Sequence, residues 1–140
     1  MKNILLAVDG SEHSLRAAQY AARLIRAMPH CVLHLLHVEE AVPLRSHAFM
    51  SQEEINKLYE AEAKQRCAAV KEFLKEQNIA FQWHLAVGHP AERIVEEAEK
   101  FGVDGIVMGS RGSGRVGSLV LGSVASKVVH EATVPVTIVK

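Results

Sequence analysis

The sequence predicts an α/β protein built on a five-stranded parallel sheet with helices on both faces. Three observations carry this. Short apolar segments alternate with amphipathic ones along the chain. The apolar segments are nearly continuous rather than alternating, as strands covered on both faces are. And 140 residues, 49% hydrophobic and 23% charged, suffice for a core without metal or disulfide staples, which predicts one domain over residues 1–140.

In chain order, the first strand is read over Ile4 to Val8. Ser11 is placed to cap the helix that follows, and Glu12 sits near its positive end. Leu15, Ala18, Ala22 and Ile25 line one stripe of that helix. The second strand runs from Cys31 to Val38. It is followed by a long irregular stretch, Glu39 to Met50, of a length usually reserved for functional or mobile loops. Ser51 and Glu54 form a capping-box pattern at the head of a long helix, whose inward stripe is read as Ile55, Leu58, Val70, Phe73 and Leu74. A third strand spans Phe81 to Val87. Pro90 suits the first turn of a third helix, with Ile94, Val95, Ala98 and Phe101 inward and Gly102 as its cap. The run Glu92, Glu96, Glu97, Glu99, Lys100 is read as a solvated face. Gly105 to Met108 forms the fourth strand. A fourth helix carries Leu121, Val124, Ala125, Val128 and Val129, and Val136 to Val139 forms the last strand. Strands alternating with helices imply right-handed crossovers.

Composition excludes several functions. Sixteen basic residues balance sixteen acidic ones, so a general nucleic-acid or membrane-surface binder is not expected. Cys31 and Cys67 form no CxxC pair, which argues for reduced thiols rather than a disulfide framework or zinc site. The opening apolar run is too short for a signal peptide or a membrane span, so a cytoplasmic protein is expected. His34 and His37 lie three apart in a strand and face opposite ways, so they cannot chelate together. Solvated or capping roles are the default for the histidines, His89 before Pro90 is read as a turn residue at the carboxyl edge, and no metal site is expected.

In open α/β sheets ligands bind beyond the carboxyl ends of the strands, where strand order reverses. Asp9-Gly10-Ser11 lies there, after the first strand, with a helix-capping role as the plain alternative. Asp104, the other Asp, precedes the fourth strand and is read as a turn residue. The strongest signal follows the fourth strand: Gly109-Ser-Arg-Gly112-Ser-Gly114-Arg-Val-Gly117-Ser-Leu-Val-Leu-Gly122-Ser123 holds five of the nine glycines. Glycine lets backbone amides approach an anion, and the segment leads into a helix N-terminus. Arg111, Arg115 and Lys127 add positive charge. A phosphate site is therefore predicted. Two familiar motifs fail here. Gly112, Gly114 and Gly117 have dinucleotide-fold spacing, but the next strand ends in Val139-Lys140 where an acidic residue is needed. Gly117 and Gly122 have P-loop spacing, but Ser123 stands where that motif requires Lys.

From Ile4-Leu-Leu-Ala-Val-Asp-Gly-Ser to Pro135-Val-Thr-Ile-Val the chain resembles the universal stress protein family. Gly109, Gly112, Gly122 and Ser123 match the Gly-x2-Gly-x9-Gly-Ser/Thr pattern of its ATP-binding branch. The resemblance implies a Rossmann-like sheet in the order 3-2-1-4-5. It implies that Asp9 contacts ribose or adenine, that Ala7 and Val38 present backbone groups to the adenine, and that Met108 lies beside the base or ribose. Gly109, Arg111, Gly112, Gly122, Ser123 and Val124 would surround the phosphates of ATP. Mg2+ or Mn2+ is expected with the triphosphate, whose charge exceeds what Arg111 and Lys127 can neutralise. The family also implies a homodimer through the last strand, whose apolar edge would otherwise stay unpaired. The function implied is regulatory. The alternatives are a slow ATPase, although no carboxylate or histidine is poised to activate water, and a nucleotide-free dimeric scaffold. ATP pyrophosphatases of related fold carry Ser-Gly-Gly-x-Asp-Ser after the first strand, a pattern from which Asp9-Gly-Ser-Glu-His-Ser14 departs.

Overall fold

A computed structural model describes residues 1–111 and 121–140. Five strands, β1 (Asn3–Val8), β2 (Val32–Glu39), β3 (Gln82–Val87), β4 (Gly105–Gly109) and β5 (Val136–Val139), alternate with helices α1 (Glu12–Ala27), α2 (Gln52–Glu76), α3 (Pro90–Phe101) and α4 (Ser123–Glu131). The sheet is parallel throughout, in the order β3-β2-β1-β4-β5. Strand order thus reverses at β1, whose Leu6 pairs with Leu35 on one side and Val107 on the other.

Each face of the sheet has its own core. Ile4, Leu6, Leu33 and Leu35 pack with Ala17, Ala21, Cys67 and Val70 under α1 and α2. Leu5, Leu36 and Ile106 pack with Ile94, Ala98, Ala125 and Val128 under α3 and α4. The alternation of side chains along each strand, both sets apolar, is what makes the strand sequences continuous hydrophobic runs.

The helix boundaries follow local chemistry. Ser11 Oγ accepts the Ser14 amide at 3.2 Å, and Ser51 Oγ accepts the Glu54 amide at 3.1 Å. Pro90 opens α3, and Gly102 closes it at φ +62°, where its amide reaches the carbonyls of Ala98 and Glu99. Asp104 serves as a turn residue and also as a clamp. Its Oδ2 accepts the amides of Lys2 at 2.6 Å and Asn3 at 2.9 Å.

Some expectations need correction. Leu58 and Val129 are 40% and 46% exposed rather than inward, and Leu121 precedes α4 instead of belonging to it. The stretch after β2 contains a 3₁₀ turn at Leu44–Ala48. Glu97 is buried, not solvated, because α3 brings the Arg93 guanidinium to 2.6 Å from its Oε1. His34 and His37 face opposite ways as expected, but both are buried rather than solvated. His34 Nδ1 lies 3.0 Å from His84 Nε2, its Nε2 lies 3.3 Å from Asn3 Oδ1, and both rings stack on Phe101. Burial holds both imidazoles below the usual histidine range. For His34 the neighbouring His84 adds to this; for His84 the nearby Glu97 partly opposes it.

Candidate functional site

The carboxyl ends of β1, β2 and β4 open into a cavity of about 620 Å³, closed at the sides by α2, α3 and the start of α4. Its position is the one the strand order dictates, beside the reversal at β1. Its volume lies within the range of small-molecule sites.

Asp9 forms part of the wall. Its Oδ1 also accepts the Ser11 amide at 2.9 Å and the Ser14 hydroxyl at 2.7 Å, while Ser14 Oγ accepts the Asp9 amide at 2.9 Å. The two readings of Asp9 therefore coexist: it shapes the head of α1 and it faces the cavity. Gly10 makes the turn at φ +87°, and a Cβ there would come within 2.9 Å of the Arg66 carbonyl. The glycine lets α2 press against the turn after β1.

On the β4 side, Met108, Gly109 and Arg111 line the cavity, with Gly122, Ser123 and Val124 from the start of α4. Gly109 permits a close approach, since a Cβ there would fall 2.7 Å from the Cβ of His13. The Ser110 amide donates to the Val139 carbonyl, and the Ser110 carbonyl accepts the Gly122 amide, both at 2.8 Å. These bonds hold the head of α4 beside β4. Gly122 has no side chain to cap α4, and Gly122, Ser123, Val124 and Ala125 line the cavity, so the positive end of the helix dipole lies at it. Ala7 and Val38 complete the expected set within the cavity wall; Gly112, also expected there, lies outside the described residues, as does Arg115. Lys127 does not line the cavity. Its ammonium lies 3.1 Å from Glu92 on α3, and the pair lowers the Glu92 carboxyl while raising Lys127.

The opposite wall is formed by residues the sequence reading did not select. His37 Nδ1 lies 2.8 Å from the Val8 carbonyl oxygen, and its Nε2 lies 2.8 Å from Glu39 Oε2. Carbonyl oxygens only accept, so Nδ1 carries a hydrogen and the bond to Glu39 needs a second proton shared by the pair. Glu39 Oε1 lies 3.8 Å from Arg66 Nε on α2. Tyr59, also on α2, accepts the Val42 amide at 3.0 Å and ties the stretch after β2 across the cavity. The polar character of Glu39, Tyr59 and Arg66 at the end of a strand and on one side of a helix is the signal that could have found them.

Among the described residues no group of three His, Cys, Asp or Glu could hold a metal ion. Cys67 is buried, and that burial pushes its thiol up to about 12, with Lys71 opposing the rise and Glu39 adding to it, which makes it a poor nucleophile.

Fold and cavity together define a doubly wound α/β protein with a cavity at its topological switch point. The model of the universal stress protein family matches residues 1–140, and the chain belongs to that family. A universal stress protein of Thermus aquaticus is 40% identical over 139 residues, covering 99% of this chain and 98% of that one. The solved structure of MJ0577 of Methanocaldococcus jannaschii superposes with a TM-score of 0.83 at 34% identity, over 99% of this chain and 95% of that one. A universal stress protein of Archaeoglobus fulgidus, solved in complex with dAMP, shares the fold with a TM-score of 0.73 at 24% identity, over 100% of this chain and 98% of that one.

Proposed function

We propose that the protein is a regulatory module that binds an adenine nucleotide, ATP foremost, in the switch-point cavity. The observation that carries this reading is the meeting of three things in one cavity: the apolar floor of Ala7, Val38 and Met108, Arg111, and the head of α4 at Gly122 and Ser123. An apolar floor suits a base, and a guanidinium beside helix amides suits phosphates. The A. fulgidus complex supports the choice of an adenine nucleotide within this fold. Asp9 would serve the ribose or the base.

Among the described residues no group of three His, Cys, Asp or Glu could hold a metal ion, so Mg2+ or Mn2+ would be held chiefly by phosphate oxygens and water and would neutralise triphosphate charge. Among the described residues no helix is long and apolar enough to cross a membrane, and both cysteines are buried and unbridged, which supports a cytoplasmic domain over residues 1–140. β5 is an edge strand with half-buried Val136 and Ile138, which supports a homodimer through Val136 to Val139.

Thermal-shift titration with MgATP, ADP, AMP and cyclic AMP tests the reading. A ligand at a hundred times its Kd should add about 2.7 kcal/mol of stability. No concentration-dependent rise with any of them would overturn it. Native mass spectrometry reads nucleotide and dimer in the same spectrum.

A further inference from the structure

We infer that His13 is a positioning residue for Arg111, an inference that rests on the nucleotide reading above. His13 does not line the cavity, whereas Arg111 does. Arg111 Nη2 lies 3.2 Å from His13 Nε2. A guanidinium can only donate, so Nε2 is the acceptor and the ring proton sits on Nδ1.

The contact is built from several elements. His13 stands in the first turn of α1, which the Ser11, Ser14 and Asp9 hydrogen bonds fix to the end of β1. Gly109 lets that turn lie directly on the end of β4: a Cβ at 109 would meet the His13 backbone carbonyl carbon at 2.9 Å. Two residues on, the Arg111 side chain returns to the ring of His13. Ser110, between them, is held by Val139 and Gly122. The residue before the arginine is thus held by its backbone from β5 and the head of α4, and the arginine by its side chain from α1.

Arginine is rich in rotamers, and ordering it on binding weakens affinity. With the ring of His13 accepting one of its donors, part of that ordering is complete before a phosphate arrives. The effect belongs to phosphate-bearing ligands and not to the nucleoside.

Calorimetric titration of ATP, AMP and adenosine into wild type, His13→Leu, His13→Gln and Arg111→Met tests this. His13→Leu should weaken ATP and AMP roughly three- to tenfold and leave adenosine unchanged. His13→Gln, whose amide oxygen accepts, should recover most of the loss. His13→Leu added to Arg111→Met should cost nothing further. A loss below twofold, an equal loss for adenosine, or an undiminished loss in the Arg111→Met background overturns the role. Nitrogen-15 spectra of the ligand-free protein give an independent readout: a protonated Nε2 on His13 overturns it whether or not nucleotide binds. A wild-type chain that binds none of the three ligands instead refutes the nucleotide reading.

Discussion

Replacing His37 by leucine isolates the buried polar group at the carboxyl edge of the sheet. Leucine has a similar bulk but serves neither acceptor that the ring now contacts, the Val8 carbonyl and Glu39, each at 2.8 Å. An orphaned buried carbonyl costs about 1–3 kcal/mol. A sealed, stranded carboxylate costs about 3–5 kcal/mol. The Glu39 side chain is 11% exposed and keeps Arg66 Nε at 3.8 Å, so its share falls lower, about 1–2 kcal/mol. The expected loss is about 3 kcal/mol. For 140 residues the unfolding entropy is about 0.3 kcal/mol/K, so Tm should drop by about 10 °C. Urea unfolding of His37→Leu, Glu39→Met and the double variant supplies the assay. The double variant should be less destabilised than the sum by about 1–2 kcal/mol, because the second change removes the group the first one stranded. A loss below about 1 kcal/mol, or strict additivity, would refute the reasoning.

Gly10→Ala forces a side chain into φ +87° and within 2.9 Å of the Arg66 carbonyl, so a loss of about 1–3 kcal/mol in urea unfolding is expected, and a neutral result would contradict the close packing of α2 on the turn. Native protein at pH 7.5 should react with thiol reagents at Cys67 only as fast as it opens, given the burial and the thiol pushed up to about 12; rapid labelling in the folded state counts against this. Burial holds His34 and His84 below the ordinary histidine value of about 6.5. The unfolded chain then takes up protons before the folded one, so stability is full above that value and is lost as pH falls through it towards the depressed folded values. Urea midpoints from pH 7.5 to 5 should decline, and decline less in His84→Phe; equal slopes would show that the pair is not responsible.

The architecture was legible because continuous apolar runs and helical stripes specify buried strands and two-sided cover. Once the strands and their reversal point are known, the positions of Asp9, Met108 and Gly109 at the cavity follow from topology. The α2 wall was not legible in the same way. Tyr59 and Arg66 lie four and eleven residues after Ile55, on the inward side of their helix, but a stripe read from apolar residues alone passes over polar ones at the same spacing. Glu97 was misread for a related reason: a run of glutamates looks like a wet surface until the fold brings Arg93 over one of them. His34 and His37 escaped because a buried imidazole needs partners from other strands, Asn3, His84 and Val8, that are remote in sequence.

The seat of Arg66 on Gly10 has a consequence for how the chain tolerates change. Helix α2 is 25 residues long, and it is located at its middle, by backbone pressed on the turn that carries Asp9. The segment from residue 40 to 50 therefore need not set the helix in place. Insertions or deletions there would alter the roof over the cavity, which a hydrogen bond from the Val42 amide to Tyr59 ties to the helix, while the turn beneath stays where it is. Roof and floor are therefore separable: the length of the segment from residue 40 to 50 can change without moving the turn that carries Asp9.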